Sequence, residues 1–116
     1  MTPSIVTKDG KLFMVTGSPG GRTIINTVLE IVLNGTEFGM DARRAVDQLR
    51  LDHEWLPDQV TFEGTVPDST VKRLEAMGHK VRVGTRQGEA HTVIVKNGVA
   101  YGANDRRTAD SKASRP

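Results

Sequence analysis

The sequence predicts an α+β fold in which helices cover one face of an antiparallel sheet, and three observations carry that reading. The dipeptides Asp9-Gly10 and Asn97-Gly98 each sit between runs of β-branched and apolar residues. Such dipeptides favour two-residue type I′ turns, because both central residues need positive φ. Ile24, Ile25, Val28, Leu29, Val32 and Leu33 recur at helical spacing. Strands and helices are mixed in the order ββαα(β)βαβββ, and the tight turns make the hairpin pairings antiparallel.

Taken in order, Ser4 to Thr7 and Leu12 to Thr16 form the first hairpin around Lys8-Asp9-Gly10-Lys11. Gly17-Ser18-Pro19-Gly20-Gly21 follows, where three glycines and a proline exclude regular structure and demand an unusual backbone path. The periodic run from Ile24 to Leu33 then reads as a buried helix, with Gly35 placed as a C-terminal cap. Asp41 suits the N-cap of a second helix that puts Ala42, Ala45, Val46 and Leu49 on one face and turns Arg43, Arg44 and Asp47 outward. The pattern is extended from Leu51, turns a corner at Trp55-Leu56-Pro57-Asp58, and resumes as a strand over Gln59 to Glu63. Thr65-Val66-Pro67-Asp68 reads as a helix start, with a hydroxyl at the N-cap and proline in the first turn. That helix runs to about Met77 and stops at Gly78, and Lys80 to Val83 follows as a strand. The last hairpin joins Thr92 to Lys96 with Val99 to Gly102. Periodicity ends after Tyr101, so residues 1–103 read as a single domain and 104–116 as a loose tail unless a partner ties it down.

Composition bounds the function. A chain of 116 residues is one domain by length, and 36% hydrophobic residues taken together with 12 glycines put the apolar content in the range of globular domains, which argues against disorder of the whole chain. A net charge of +2 spread through both halves, with one Trp, one Tyr and three Phe, gives no one-sided basic stripe or stacking surface for nucleic acid. With no cysteine, disulfides, iron-sulfur clusters and thiolate zinc sites are impossible. His53, His79 and His91 are too scattered to resemble a ligand pair, and no metal or cofactor is called for. No apolar run approaches the roughly 18 residues of a membrane span, and the N-terminus lacks the basic flank and apolar stretch of a signal peptide.

The loop from Gly17 to Gly21 is the one strong chemical candidate. A strand end, a glycine turn and a helix start aim unpaired backbone N–H groups at one point, and such a point attracts negative charge. A phosphate cradle of the Gly-x-x-x-x-Gly-Lys-Ser/Thr type fails: with its second glycine on Gly21, Thr16 stands where the first should be and Arg22 replaces lysine. An oxyanion hole needs only N–H groups about 3 Å from a developing negative oxygen, which adjacent glycines supply because no side chain blocks approach. Composition leaves that reading open beside a plain structural turn, the commoner use of glycines ahead of a helix. His91 beside Glu89 suggests an acid/base pair but has no nucleophile near it, and His53 between Asp52 and Glu54 reads as a solvated salt partner. Trp55 reads as an anchor for the corner at Pro57, and Ser4, Ser18 and Ser69 lack the surroundings of an activated nucleophile.

At this loop the sequence resembles the C-terminal part of the small subunit of gamma-glutamyltransferases, also called glutathione hydrolases. Val15-Thr16-Gly17-Ser18-Pro19-Gly20-Gly21 is similar to the family's most specific motif in this region. Met1-Thr2-Pro3-Ser4-Ile5-Val6 resembles the end of its Ser-Ser-Met-Ser-Pro-Thr segment, and Lys8-Asp9-Gly10-Lys11 its following hairpin. Phe38-Gly39-Met40, Ala45-Val46, Trp55-Leu56-Pro57-Asp58, Leu74-Glu75-Ala76-Met77-Gly78-His79 and Tyr101-Gly102-Ala103 continue the similarity in register over nearly the whole chain.

The resemblance implies part of an N-terminal nucleophile hydrolase fold, in which two stacked sheets lie between helical layers (αββα). It implies an enzyme that cleaves itself into two subunits and uses the newly exposed N-terminal threonine to attack the gamma-glutamyl amide of glutathione, passing the acyl group to water or to an amino acid or peptide. Gly20 and Gly21 would supply the oxyanion hole. The threonine, and the two serines that hold the substrate's carboxylate, lie upstream of this region in the family. The chain alone is therefore expected to be inactive, to need the rest of the small subunit and the large subunit as partners, and to self-associate without them. For the parent protein the resemblance implies a periplasmic or extracellular location. Asn104-Asp105-Arg106 lacks the proline usual after that aspartate, and Gln87-Gly88-Glu89-Ala90-His91 departs from the commoner Gly-Ser-Ala-Gln version. The alternatives are a binding or scaffold domain that captures a carboxylate or phosphate at the loop, and a fragment of a related acylase.

Overall fold

The computed structural model describes residues 3–114, so the part of the N-terminal similarity that falls on Met1 and Thr2 lies outside the described residues. The chain divides into two compact units, one reaching Gln48 and resuming at Gly88, the other spanning Leu49–Gln87. The single domain expected over 1–103 thus contains an inserted unit with its own core.

The first unit is built on a four-stranded sheet in the order β1-β2-β6-β7, antiparallel throughout. Strands β1 (Ser4–Lys8) and β2 (Lys11–Gly17) form the first hairpin, with Asp9 at φ 51 and Gly10 at φ 72. Strands β6 (His91–Lys96) and β7 (Val99–Ala103) form the last, with Asn97 at φ 52 and Gly98 at φ 76. Both dipeptides do what a type I′ turn requires of them. The two hairpins join through β2 and β6, where Met14 faces Ile94 and Thr16 faces Thr92. These four side chains are buried, since alternate residues of a strand share a face. The two threonine hydroxyls satisfy each other at 2.7 Å.

Helices α1 (Ile24–Thr36) and α2 (Ala42–Asp47) belong to this unit, whose core contains Met14, Ile31, Ala42, Val46, Ala90, Ile94 and Ala103. Asp41 caps α2 as expected, its carboxylate accepting from the Arg44 N–H at 2.8 Å. Leu49 lies beyond the end of α2 rather than on its face. Helix α1 differs more from expectation. Its buried residues are Thr27, Ile31, Asn34 and Gly35, whereas Ile25, Leu29 and Leu33 are exposed. Gly35 is not a cap but an interior residue, because a Cβ there would collide with the Met14 methyl group. Small and polar residues let this side of the helix come close, and Asn34 Nδ2 donates to the Ala45 carbonyl at 3.2 Å.

The second unit carries β3 (Leu51–Asp52), β4 (Val60–Phe62), α3 (Asp68–Ala76) and β5 (Val81–Val83). Its sheet is mixed, in the order β3-β4-β5: β3 pairs antiparallel with β4, and β4 pairs parallel with β5, which α3 connects. Val60, Phe62 and Val66 form its core. The N-cap of α3 is Pro67, with no side-chain cap, so Thr65 lies outside the helix. Its C-terminus closes as a Schellman motif, with Gly78 at φ 94 and the His79 N–H donating to the Leu74 carbonyl at 3.0 Å. Trp55 is 77% exposed and anchors nothing; the corner instead combines a positive φ at Trp55 with a cis Leu56-Pro57 bond.

Residues 104–111 are held rather than loose. Asp105 is fully buried and accepts from the Ala90 N–H at 2.8 Å and from the Arg107 N–H at 3.0 Å. Arg107 pairs with the same carboxylate at 3.2 Å and donates to the Val46 and Gln48 carbonyls, both at 2.9 Å, at the end of α2. Asn104 donates to the Ser111 carbonyl at 2.6 Å, and the Arg43 guanidinium donates to the Asn104 carbonyl. Polar contacts of this kind leave no apolar periodicity, which is why the sequence pattern reads as a tail.

Candidate functional site

The glycine loop leaves β2 at Gly17 and enters a single 3₁₀ turn, Gly21–Thr23, that leads directly into α1. Gly20 has φ 146 and ψ 13, and Gly21 has φ 59, so both occupy backbone conformations that side chains disfavour. The Gly20 carbonyl accepts from the Thr23 N–H at 3.3 Å and from the Thr23 hydroxyl at 3.1 Å, which closes the turn. Among the described residues no acceptor takes the N–H of Gly20 or of Gly21. Both residues are exposed. Two adjacent donors are therefore available at a strand-to-helix junction, where the helix N-terminus adds partial positive charge.

A second segment backs the loop. Ser18 is fully buried; its hydroxyl donates to the Pro19 carbonyl at 2.6 Å and accepts from the Glu89 N–H at 2.9 Å. These bonds give Ser18 a fixed structural task and no base. Gly88, at φ 62, passes so close that a Cβ on it would stand 2.6 Å from the Thr27 hydroxyl and 2.8 Å from that of Ser18. A Cβ on Gly20 would in turn stand 2.9 Å from the Gly88 Cα. Two residues beyond Gly88, the Ala90 N–H is fixed by Asp105. The positions of Gly20 and Gly21 are thus set through Ser18, Gly88, Glu89 and Asp105. The sequence marks both segments only by comparison with the family, as Gln87-Gly88-Glu89-Ala90-His91 and Asn104-Asp105-Arg106, and does not show that Gly88 and Asp105 support the loop.

The remaining candidates are held by their own neighbours. His91 pairs with Gly17 across the strands, and its Nε2 lies 3.7 Å from a Glu89 carboxylate oxygen, a partly exposed contact with no nucleophile attached. His53 bonds Asp58 at 3.2 Å rather than its sequence neighbours, and its ring meets that of His79 edge-on at 6.0 Å. Among the described residues no group of three His, Asp or Glu could hold a metal ion, and no helix is long and apolar enough to cross a membrane. A cavity of about 520 Å³ lies elsewhere in the first unit, lined by Phe13, Met40, Arg44, Ile94, Lys96 and Tyr101 among others, and the glycine loop takes no part in it.

Comparison with known proteins gives the family. The family model for gamma-glutamyltranspeptidase matches residues 1–114. The chain is 43% identical over 111 residues to the glutathione hydrolase proenzyme of Escherichia coli K12, an alignment covering 95% of this chain and 19% of that protein. It superimposes on a gamma-glutamyltranspeptidase mutant of Helicobacter pylori with a TM-score of 0.88 at 35% identity, covering 93% of this chain and 61% of that one. The transpeptidase CapD of Bacillus anthracis shares the fold, with a TM-score of 0.81 at 22% identity over 100% of this chain and 71% of that chain. The chain thus spans roughly a fifth of the length of the E. coli relative.

Proposed function

Because the chain belongs to the gamma-glutamyltranspeptidase family, with part of an N-terminal nucleophile hydrolase fold, we propose that it supplies the oxyanion hole of a gamma-glutamyl acyltransferase or hydrolase. The observation that supports this is the pair of unengaged N–H groups at Gly20 and Gly21, on a loop whose strained path is fixed from behind.

Attack of a hydroxyl on a gamma-glutamyl amide turns the planar carbonyl into a tetrahedral centre and places negative charge on its oxygen. Two preorganised N–H donors stabilise that charge as it forms, and removal of one such donor costs about 10²–10³ in rate. Neither donor needs to reorganise, since the Thr23 bonds to Gly20 and the close approach of Gly88 already set the backbone. The attacking threonine and the groups that hold the substrate's carboxylate come from the upstream part of the small subunit, and the large subunit completes the assembly. Glutathione fits as substrate, and the assembled protein would work in the periplasm or outside the cell.

A gamma-glutamyl anilide assay tests the division of labour. The 116-residue chain alone is expected to show no turnover, because donors without a nucleophile have no covalent step to assist. Turnover that persists after removal of contaminating enzyme overturns the proposal. Titration with glutamate, glutathione and nucleotides separates the alternative: saturable binding localised to Gly20 and Gly21 in the isolated chain would mark an anion-capturing module instead.

A further inference from the structure

Two Asn-Gly pairs occur in the sequence, Asn34-Gly35 and Asn97-Gly98. An asparagine followed by glycine is able to close on itself: the next main-chain nitrogen attacks the side-chain amide, and glycine, without a Cβ, leaves that approach open. The fold puts the same dipeptide in two opposite settings.

Asn34 is 9% exposed, and its Nδ2 donates to the Ala45 carbonyl at 3.2 Å. Gly35 lies inside α1, where its N–H belongs to the helical ladder. Asn97 and Gly98, in contrast, are both exposed and form the two-residue tip between the paired Lys96 and Val99. Among the described residues, no hydrogen bond engages the Asn97 side chain or the Gly98 N–H. A Cβ at Gly98 would meet nothing within 4 Å, so no neighbour shields the tip. Ring closure requires the tip to leave its turn conformation, and a hairpin end does so at far lower cost than a helix packed in the core. The remaining asparagines, Asn26 and Asn104, precede Thr27 and Asp105, whose side chains obstruct the attacking nitrogen.

We propose that Asn97 is a site of spontaneous deamidation, converting through a cyclic imide to aspartate and isoaspartate with solvent water as co-reactant. The Gly98 nitrogen loses its proton to a solvent base and bonds to Asn97 Cγ. The Cγ–Nδ2 bond breaks, and the amide nitrogen leaves as ammonia with a proton returned to it. Water then splits the imide, its hydroxyl going to a carbonyl carbon and its hydrogen to the Gly98 nitrogen. Cleavage between that nitrogen and Cγ gives aspartate, and cleavage between it and the main-chain carbonyl carbon gives isoaspartate. Nothing is oxidised or reduced.

Each product takes one charge from the formal net charge of +2. The two differ in what they do to the fold. Asp9-Gly10 already makes the same turn in the first hairpin, with φ 51 and 72 against 52 and 76 here, so aspartate keeps the turn. Isoaspartate routes the main chain through the side chain and lengthens the two-residue loop by a methylene. Loop length fixes hairpin register, so Lys96 and Val99 lose their pairing.

Incubation of the 116-residue chain in mildly alkaline heavy-oxygen water, followed by peptide mapping, tests the proposal. Residue 97 should take up the heavy oxygen in two products separable by chromatography, at a rate that rises with pH. Asn34 should convert at least ~100-fold more slowly, because its reaction waits on opening of the core. The isoaspartyl product should lose hydrogen-exchange protection at Val99, whereas Asn97→Asp retains it. A free Lys-Asn-Gly-Val peptide run alongside shows that the conditions drive the reaction. The proposal is overturned if residue 97 keeps its amide while the peptide converts, if Asn34 converts as fast as Asn97, or if Asn97 converts only after urea has unfolded the chain.

Discussion

Gly88→Ala should be among the most damaging single-methyl additions to the first unit, and Gly21→Ala isolates the reason. The two glycines share nearly the same backbone conformation, at φ 62 and φ 59. Forcing a side chain into that region costs about 1–2 kcal/mol at either site. A Cβ on Gly21 meets nothing within 4 Å. A Cβ on Gly88 stands 2.6 Å and 3.0 Å from the hydroxyl and methyl of Thr27 and 2.8 Å from the hydroxyl of Ser18. Thr27 is 1% exposed and Ser18 0%, so neither has space to retreat into. Overpacking of this kind adds about 1–3 kcal/mol, giving roughly 2–5 kcal/mol for Gly88→Ala against 1–2 for Gly21→Ala. Urea titration followed by far-ultraviolet circular dichroism measures both, and hydrogen exchange at the β2 and β6 amides confirms that the loss falls in the first unit. In the Gly88→Ala background, Thr27→Ala should recover part of the loss, a coupling that independent sites do not show. Equal costs at the two glycines, within about 0.5 kcal/mol, would refute the idea that Gly88 is pressed against the loop.

Two further substitutions probe the same unit. Asp105→Ala strands the buried Ala90 N–H and removes the carboxylate facing the Arg107 guanidinium, which keeps its bonds to the Val46 and Gln48 carbonyls, and should cost about 1–3 kcal/mol by chemical denaturation, with Asp105→Asn milder. Gly35→Ala would favour an ordinary helix interior by about 1 kcal/mol, but here the Met14 methyl blocks the new Cβ and Met14 is fully buried, so thermal unfolding should move to lower temperature.

What was legible in the sequence was local. Asp9-Gly10 and Asn97-Gly98 specify their turns through their own φ preferences, and Asp41 caps the helix that begins at the next residue. The glycine loop, too, could be read as a strained junction from composition. Whatever depends on which surfaces meet could not. The parallel pairing of β4 with β5 is set by the return of α3 across the inserted unit, and the burial of Asp105 by a partner 15 residues away. The orientation of α1 shows the limit most directly. Periodicity identifies Ile25, Leu29 and Leu33 as a face that wants cover, yet it cannot say which surface provides it. In this chain the sheet takes the face of Thr27, Ile31 and Gly35 instead, because only small residues admit the close approach over Met14.

The two sides of α1 therefore do different work. The side with small residues fixes the helix against the sheet and, through Thr27 and Gly88, fixes the glycine loop at its N-terminal end. The apolar side is left over. A relative of which this chain matches 19% has a great deal of further polypeptide. If the glycine loop's geometry depends only on the small-residue side, a polar change on the apolar stripe, Leu29→Glu, should leave the Gly20 and Gly21 amides undisturbed. Amide chemical shifts of Gly20 and Gly21 in the original chain and in Leu29→Glu decide the point. Shifts that change with the substitution would mean that the loop is shaped from the stripe after all.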